Sequence, residues 1–367
     1  MRLISVDMIT PDMTLAFPVY CKDVLVINAG KSNIARFTPN FINMGIRYVY
    51  VEDELSEGIE IPDAISSRTR RECNHVLQNT LKDYMETSDV KLYNLSNSIE
   101  IIIEEILANK DVQVSLNAIG TVDEQTYLHS VNVCVYSLLI GRGLNFPKKK
   151  LEELAMGAIL HDIGKTLIEP SIQFKQGRLT TEEFERIKKH TEIGYYILSK
   201  SQNLPEASKQ IALNHHERLD GCGYPMGKSK ENLHTYDCIV AIADVYDALI
   251  SDRCYKKKWC AADAVNFLIK SSGTMLSPEL VQIFIKQIAI YPNGSMVSLS
   301  DGTTGIIKAQ NQYAPLRPIV RVIRDANANK IPLYEVDLMK ILSLTITNSQ
   351  LEIENQSQEE DGELEFS

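Results

Sequence analysis

The segment His161-Asp162-Ile163-Gly164-Lys165 sets an imidazole beside a carboxylate and a lysine three residues beyond that carboxylate. Further along, His215-His216-Glu217 leads into Asp220-Gly221-Cys222-Gly223-Tyr224-Pro225. Neighbouring His–Asp and His–His donors suit a hard-to-borderline divalent ion such as iron, manganese, zinc or nickel. Ions held this way commonly activate water. A metal-dependent hydrolase is the first expectation.

Seven histidines occur in the chain, and five of them, His129, His161, His190, His215 and His216, fall where the pattern is helical. His75 is assigned to a connecting helix and His234 to a loop, both as structural or surface residues. One isolated histidine is more often structural than a ligand. The case rests on the set, with Asp162 and Asp244, being spread over successive helices. Adjacent helical residues point about 100° apart, so His161 and Asp162 converge on one ion only where a helix end allows it. Gly164 is read as that terminator. Asp244 lies in the mostly apolar stretch Ile239 to Leu249, where a carboxylate is costly to bury unless paired or metal-bound. Asp247 competes for that role or, with Asp220, supports the ligands by hydrogen bonding.

These residues need a scaffold, and the pattern supplies a mainly α one. Residues 1–62 read as a small β-rich module with strands at Leu15 to Val19, Val24 to Ile27 and Tyr48 to Val51, and a short helix near Pro39 to Met44. Such a module is too small to be comfortable without packing on a neighbour. Residues 63–93 carry apolar positions at three- and four-residue intervals and form a connecting helix, with Thr87-Ser88-Asp89 as a break. This helix, or the N-terminal module, offers a homodimer contact; simple packing on the next domain is the alternative. Residues 94–290 are the helical domain that holds every candidate ligand. Residues 291–348 switch to strands at Met296 to Leu299, Gly305 to Lys308, Ile319 to Ile323 and Leu342 to Ile346, with a turn at Asp301-Gly302. The acidic tail, 349–367, is read as disordered.

The order of these motifs resembles the HD superfamily of metal phosphohydrolases, through His129, His161-Asp162 and Asp244. The added His190, His215-His216 and Gly223-Tyr224-Pro225 resemble its HD-GYP subfamily, bacterial phosphodiesterases of cyclic di-GMP. The resemblance spans roughly Asn94 to Ile290, an all-helical hydrolase domain flanked by the β modules. It implies that His129, His161, Asp162 and Asp244 hold one ion while His190, His215 and His216 hold a second, with Asp162 bridging. Iron or manganese is the first choice, zinc or nickel the alternative. Asp162 and Lys165 are then the catalytic pair, Lys165 offsetting charge on the phosphate. Family members with three ions carry a glutamate four residues before the first histidine; here that position is Gln125, so two ions are expected.

A cyclic dinucleotide also needs cations and flat surfaces. The resemblance assigns Lys165, Tyr224, Arg253 and Lys256 to substrate binding, arginine being suited to phosphate or guanine. The expected reaction is hydrolysis of cyclic di-GMP to linear pGpG, GMP or both. The alternatives are another cyclic dinucleotide such as 3'3'-cGAMP, or a low-turnover nucleotide-binding scaffold.

Composition sets the outer bounds. The 367 residues, 44% hydrophobic and 23% charged, describe an ordinary folded chain. A formal charge of -10 argues against a nucleic-acid polymer as partner, which needs a basic face. No apolar stretch approaches the roughly 20 residues of a membrane span, and a cytoplasmic location is expected. The seven cysteines show neither disulfide nor metal-site spacing and are read as buried or half-buried free thiols.

Overall fold

The computed structural model describes residues 1–21, 24–109, 125–175, 177–251 and 259–349, with only the backbone at 21, 125 and 126. Its centre is helical and both ends are small sheets. The N-terminal module contains β1 (Arg2–Ser5), β2 (Thr14–Leu15), β3 (Val19–Cys21), β4 (Val24–Ile27), α1 (Thr38–Asn43) and β5 (Tyr48–Glu52). β5 lies between β1 and β2 in an antiparallel sheet, and β3 pairs with β4. Ile4, Leu15, Ile34, Phe41, Val49 and Val51 form its core. The strand expected over Leu15 to Val19 is two strands, because the chain bends at residues 16–18, where Pro18 removes a ladder donor.

α2 (Ser67–Thr87) starts at Ser66, whose hydroxyl accepts the Thr69 amide, and ends at Ser88 in the left-handed region at φ 57°. The expected break therefore falls in place. α3 (Tyr93–Ala108) buries Leu95, Ile99, Ile102, Ile103 and Ile106 along one face. α4 (Gln125–Gly143) is different: every residue from 130 to 141 is buried. A helix apolar around its whole girth belongs at the centre of a bundle, and α4 packs against α2, α3, α5 (Lys148–Ile159), α10 (Thr235–Ile250) and α12 (Pro278–Gln287). Between α5 and α10 come α6 (Pro170–Gln173), α7 (Thr181–Lys188), α8 (His190–Ser199) and α9 (Glu206–Asn214). α7 opens with a capping box in which Thr180 and Glu183 exchange hydrogen bonds. α11 (Ala261–Lys270) lies between α10 and α12 in the chain. Ser277 precedes α12 but makes no side-chain cap.

The C-terminal module is a five-stranded antiparallel sheet of order β10-β6-β7-β8-β9. Its strands are β6 (Met296–Leu299), β7 (Thr304–Ala309), β8 (Ile319–Arg324), β9 (Lys330–Asp337) and β10 (Ile346–Ser349). Gly302, at φ 86°, turns β6 into β7 as Asp301-Gly302 suggested. The last strand begins at Ile346, where the expected one was to end.

The two β modules, far apart in sequence, pack on each other. Ile59 meets Ile306 and Ile323 in a shared apolar cluster, and Asn293 Nδ2 donates to the Glu60 carbonyl at 2.8 Å. Arg321 Nη1 donates to the Glu57 carbonyl at 2.6 Å. The partner the N-terminal module needed is thus the C-terminal one. No helix among the described residues is long and apolar enough to cross a membrane. Cys73, Cys134 and Cys260 are buried and Cys238 is half-buried, but Cys222 is exposed on its glycine-flanked turn, correcting the uniform burial expected.

Candidate metal centre

α5 ends at Ile159, two residues before His161, and a 3-10 turn runs from Ile163 to Leu167. His161 and Asp162 occupy the bend between them, where successive side chains can converge. Gly164 is not the terminator expected. A Cβ there would lie 1.9 Å from the His190 carbonyl oxygen and 2.6 Å from the Gly194 amide nitrogen. Glycine is required because the turn presses onto the first turn of α8, bringing His190 to Asp162.

The candidate donors come from five places and meet in one spot. His129 comes from α4, His161 and Asp162 from the bend, His190 from the start of α8, His215 and His216 from the end of α9, and Asp244 from α10. Asp162 Oδ2 lies 3.4 Å from His161 Nε2 and 3.8 Å from His129 Nε2. Its Oδ1 lies 3.5 Å from His190 Nε2 and 3.8 Å from His215 Nε2. One carboxylate therefore faces two histidine sets, one with each oxygen. Asp244 Oδ1 is 3.0 Å from His129 Nε2, and Asp244 Oδ2 is 3.8 Å from His216 Nδ1.

The backbone fixes which imidazole nitrogen faces inward. His161 Nδ1 donates to the Ala158 carbonyl at 2.7 Å, His190 Nδ1 to Ile187 at 2.6 Å, and His215 Nδ1 to Ile211 and Ala212 at 3.1 Å each. A carbonyl only accepts, so the proton is held on Nδ1 and the Nε2 lone pair points to the centre. His129 Nδ1 is held in the same way by Asp247 Oδ2 at 2.7 Å.

Electrostatics separate the two sides. Burial pushes His190 down to about 3, helped by Lys165, and pushes His216 down to about 4. Burial also holds His215 well below its ordinary value, with His216 adding to the effect. For His129 burial works downward, but the hydrogen bonds to Asp244 and Asp247 outweigh it and raise the ring to about 9. Burial would raise Asp162 and Asp244, yet Lys165 and His161 hold Asp162 well below the carboxylate range, and His129 does the same for Asp244. At His190, His215 and His216, neutral imidazoles beside the ionised Asp162 are the protonation states a cation needs, whereas His129 has to give up a proton to bind one.

His161 Nε2 and Asp162 Oδ1 are buried and lack a hydrogen-bond partner in the protein, while His129 Nε2 faces Asp244 Oδ1. Buried unsatisfied polar atoms are costly. Convergent lone pairs of this kind fit a divalent cation, and among the described residues two clusters meet the spacing for one: His129, His161, Asp162 and His190, His215, His216.

Lys165 Nζ donates to Asp162 Oδ2 at 2.7 Å, on the rim of the centre. The Tyr224 ring stacks on His216 with centroids 4.7 Å apart and planes at 28°. Asp220 is elsewhere: it is exposed and binds Arg218 and the Cys222 amide within its own turn. Arg253, Lys256 and the side chain of Gln125 lie outside the described residues.

Three further residues carry the geometry and were given no role from sequence. Glu217, buried next to His216, accepts the amides of Met226 at 2.7 Å and Lys228 at 2.9 Å, closing the loop that bears Tyr224. Asn132 Nδ2 and Ser251 Oγ donate to Asp247 at 2.9 and 3.1 Å. The available signal was spacing: Asn132 is three residues past His129 on the same face of α4, and Ser251 is four past Asp247, just beyond the end of α10.

Residues 101–280 match the family described as HD domain, and residues 296–358 match a KOW domain associated with HD domain. The helical region is therefore an HD domain. The cyclic di-GMP phosphodiesterase PA4108 of Pseudomonas aeruginosa is 35% identical over 244 residues, covering 66% of this chain and 59% of that protein. A cyclic di-GMP phosphodiesterase of Thermotoga maritima is 35% identical over 227 residues, covering 59% of this chain and 61% of that protein. The response regulator RpfG of Xanthomonas campestris pv. campestris, also named a cyclic di-GMP phosphodiesterase, is 40% identical over 149 residues, covering 40% of this chain and 39% of that protein. With Gly223-Tyr224-Pro225 in place, the chain belongs to the HD-GYP family. It spans about three fifths of the length of the first two of these relatives.

Proposed function

We propose that this chain is a metal-dependent phosphodiesterase that opens cyclic di-GMP to the linear dinucleotide pGpG, to GMP, or to both. The observation that carries the reading is Asp162, whose two oxygens face two separate histidine sets. That arrangement suits two divalent cations sharing one carboxylate. His129, His161, Asp162 and Asp244 would hold one, and His190, His215 and His216 with Asp162 the other, iron or manganese being favoured. Such a pair supplies Lewis-acid charge and water activation to in-line phosphodiester hydrolysis.

The chain's own groups do the rest. Lys165, now paired with Asp162, exchanges that partner for a phosphate oxygen and offsets negative charge as it builds there. Tyr224, held flat against His216, offers a stacking or hydrogen-bonding surface for the nucleotide. Its hydroxyl stays protonated, because burial and then the nearby Asp244 and Asp162 push it further above its ordinary value. Glu217 keeps the loop of Tyr224 in register. Arg253 and Lys256 complete the proposed substrate contacts.

The test is the double substitution His161→Ala with Asp162→Ala. Loss of both bound metal and hydrolysis is expected, since the shared carboxylate cannot be replaced without losing the geometry. Full activity in that variant would remove the metal mechanism.

A further inference from the structure

The hydrogen-bonded groups behind the centre run further than the candidate ligands require. Asp247, fully buried, accepts from His129 and Ser251 with Oδ2 and from Asn132 Nδ2 with Oδ1. Asn132 Oδ1 in turn accepts from Arg70 Nη1 at 2.8 Å, and Arg70 Nη2 donates to Asp63 Oδ1 at 2.9 Å. Arg70 belongs to α2, outside the 101–280 HD match, yet is only 7% exposed. A guanidinium is rarely buried without a partner that depends on it.

The dependence lies in the amide. Asn132 has a donor end and an acceptor end, and rotating it by half a turn exchanges them. The Arg70 fork, which only donates, selects the orientation with oxygen toward α2 and the NH2 group toward Asp247. Reversed, the amide oxygen would face the carboxylate and repel it. With Oδ1 satisfied by Asn132, Asp247 is held where Oδ2 keeps the His129 proton on Nδ1, leaving Nε2 for the centre.

We propose that Arg70 is a positioning residue for His129, acting through Asn132 and Asp247, so that the connecting helix forms part of the support of the metal centre. The inference rests on the proposed function only in taking His129 as a ligand.

The experiment measures Mn(II) affinity of the full chain by competition with a chromophoric chelator. Arg70→Met keeps the side-chain bulk while removing the donors. It is expected to weaken Mn(II) binding about 10–100-fold, the usual effect of losing a supporting partner. Arg68→Ala, on the same helix but 82% exposed and paired with Glu72, should leave affinity unchanged. Asn132→Ala should weaken binding as Arg70→Met does, and the double variant should be no worse than Asn132→Ala alone, because the two act in series. Wild-type affinity in a folded Arg70→Met, or additive losses in the double variant, would overturn the proposal. Should Arg70→Met fail to fold, Asp63→Asn loosens the same arginine from its half-exposed end. A smaller loss of affinity supports the proposal, and none overturns it. Failure of the parent reading looks different: His129→Ala would then bind Mn(II) as tightly as the unmodified protein.

Discussion

Gly164→Ala is the smallest change that should break the centre. The added Cβ would sit 1.9 Å from the His190 carbonyl oxygen, 2.6 Å from the Gly194 nitrogen and 2.8 Å from the His190 carbonyl carbon. All three are backbone atoms, so no side-chain rotation relieves the clash. Even a 3.0 Å separation requires the turn and α8 to part by about 1.1 Å, overpacking of a kind that costs about 1–3 kcal/mol or more. His190 Nε2 lies 3.5 Å from Asp162 Oδ1 and 3.2 Å from His215 Nε2, so that shift falls on the two-sided carboxylate itself. Misplacement of about 1 Å can cost on the order of 100-fold in rate. Gly194→Ala is the matched control across the same contact. Its Cβ would meet Ala212 Cβ and the Gly164 nitrogen at an ordinary 3.4 Å, and alanine is favoured over glycine in a helix by about 1 kcal/mol. Thermal unfolding, bound metal and cyclic di-GMP hydrolysis should all fall in Gly164→Ala and hold in Gly194→Ala. A Gly164→Ala protein with unchanged melting, metal content and turnover would refute the close approach as the reason for glycine.

Lys165→Ala should retain bound metal, since an ammonium has no lone pair to donate, while turnover falls about 100–1,000-fold; loss of metal together with activity would make Lys165 a support of the centre. Glu217→Gln turns an amide N–H toward the Met226 or Lys228 amide and should raise KM for cyclic di-GMP about tenfold with metal content unchanged, from the loss of one charge-assisted hydrogen bond. An unchanged KM would detach the loop clamp from substrate binding. The metal-free protein should be most stable near pH 6.5. His190 and His216 titrate near 3 and 4 when folded, below the unfolded value of about 6.5, so stability is lost as pH falls through that interval. His129 titrates near 9, so its contribution is complete below about 6.5 and is lost as pH rises toward 9. A melting temperature that climbs steadily from pH 7 to pH 9 would contradict this account of His129.

The candidate donors were legible because their chemistry is rare: imidazoles and carboxylates recurring along apolar helices have few other uses. The strands of the C-terminal module were legible where alternation is clean, as in β6 and β8, and not in β9. β9 exposes Leu333 and Tyr334 and carries a proline, so its sequence mimics a loop. β1 was missed because Arg2–Ser5 is short, and its partner β5 is more than forty residues away. Gly164 was identified as important for the wrong reason, since contact with α8 depends on tertiary packing and a helix end does not. Arg70 and Asn132 resemble ordinary polar residues of helices, and only the packing of α2 on α4 reveals what they share.

The central claim, two cations held by the two histidine sets around Asp162, is tested most directly on anaerobically purified protein. Metal content is determined by mass spectrometry, and the same sample is assayed for products from cyclic di-GMP. The account predicts about two divalent ions per chain, as a two-metal centre requires, with conversion to pGpG or GMP that stops when a chelator strips them. Metal-replete protein without turnover of cyclic di-GMP, or turnover in protein shown to hold no metal, would contradict it.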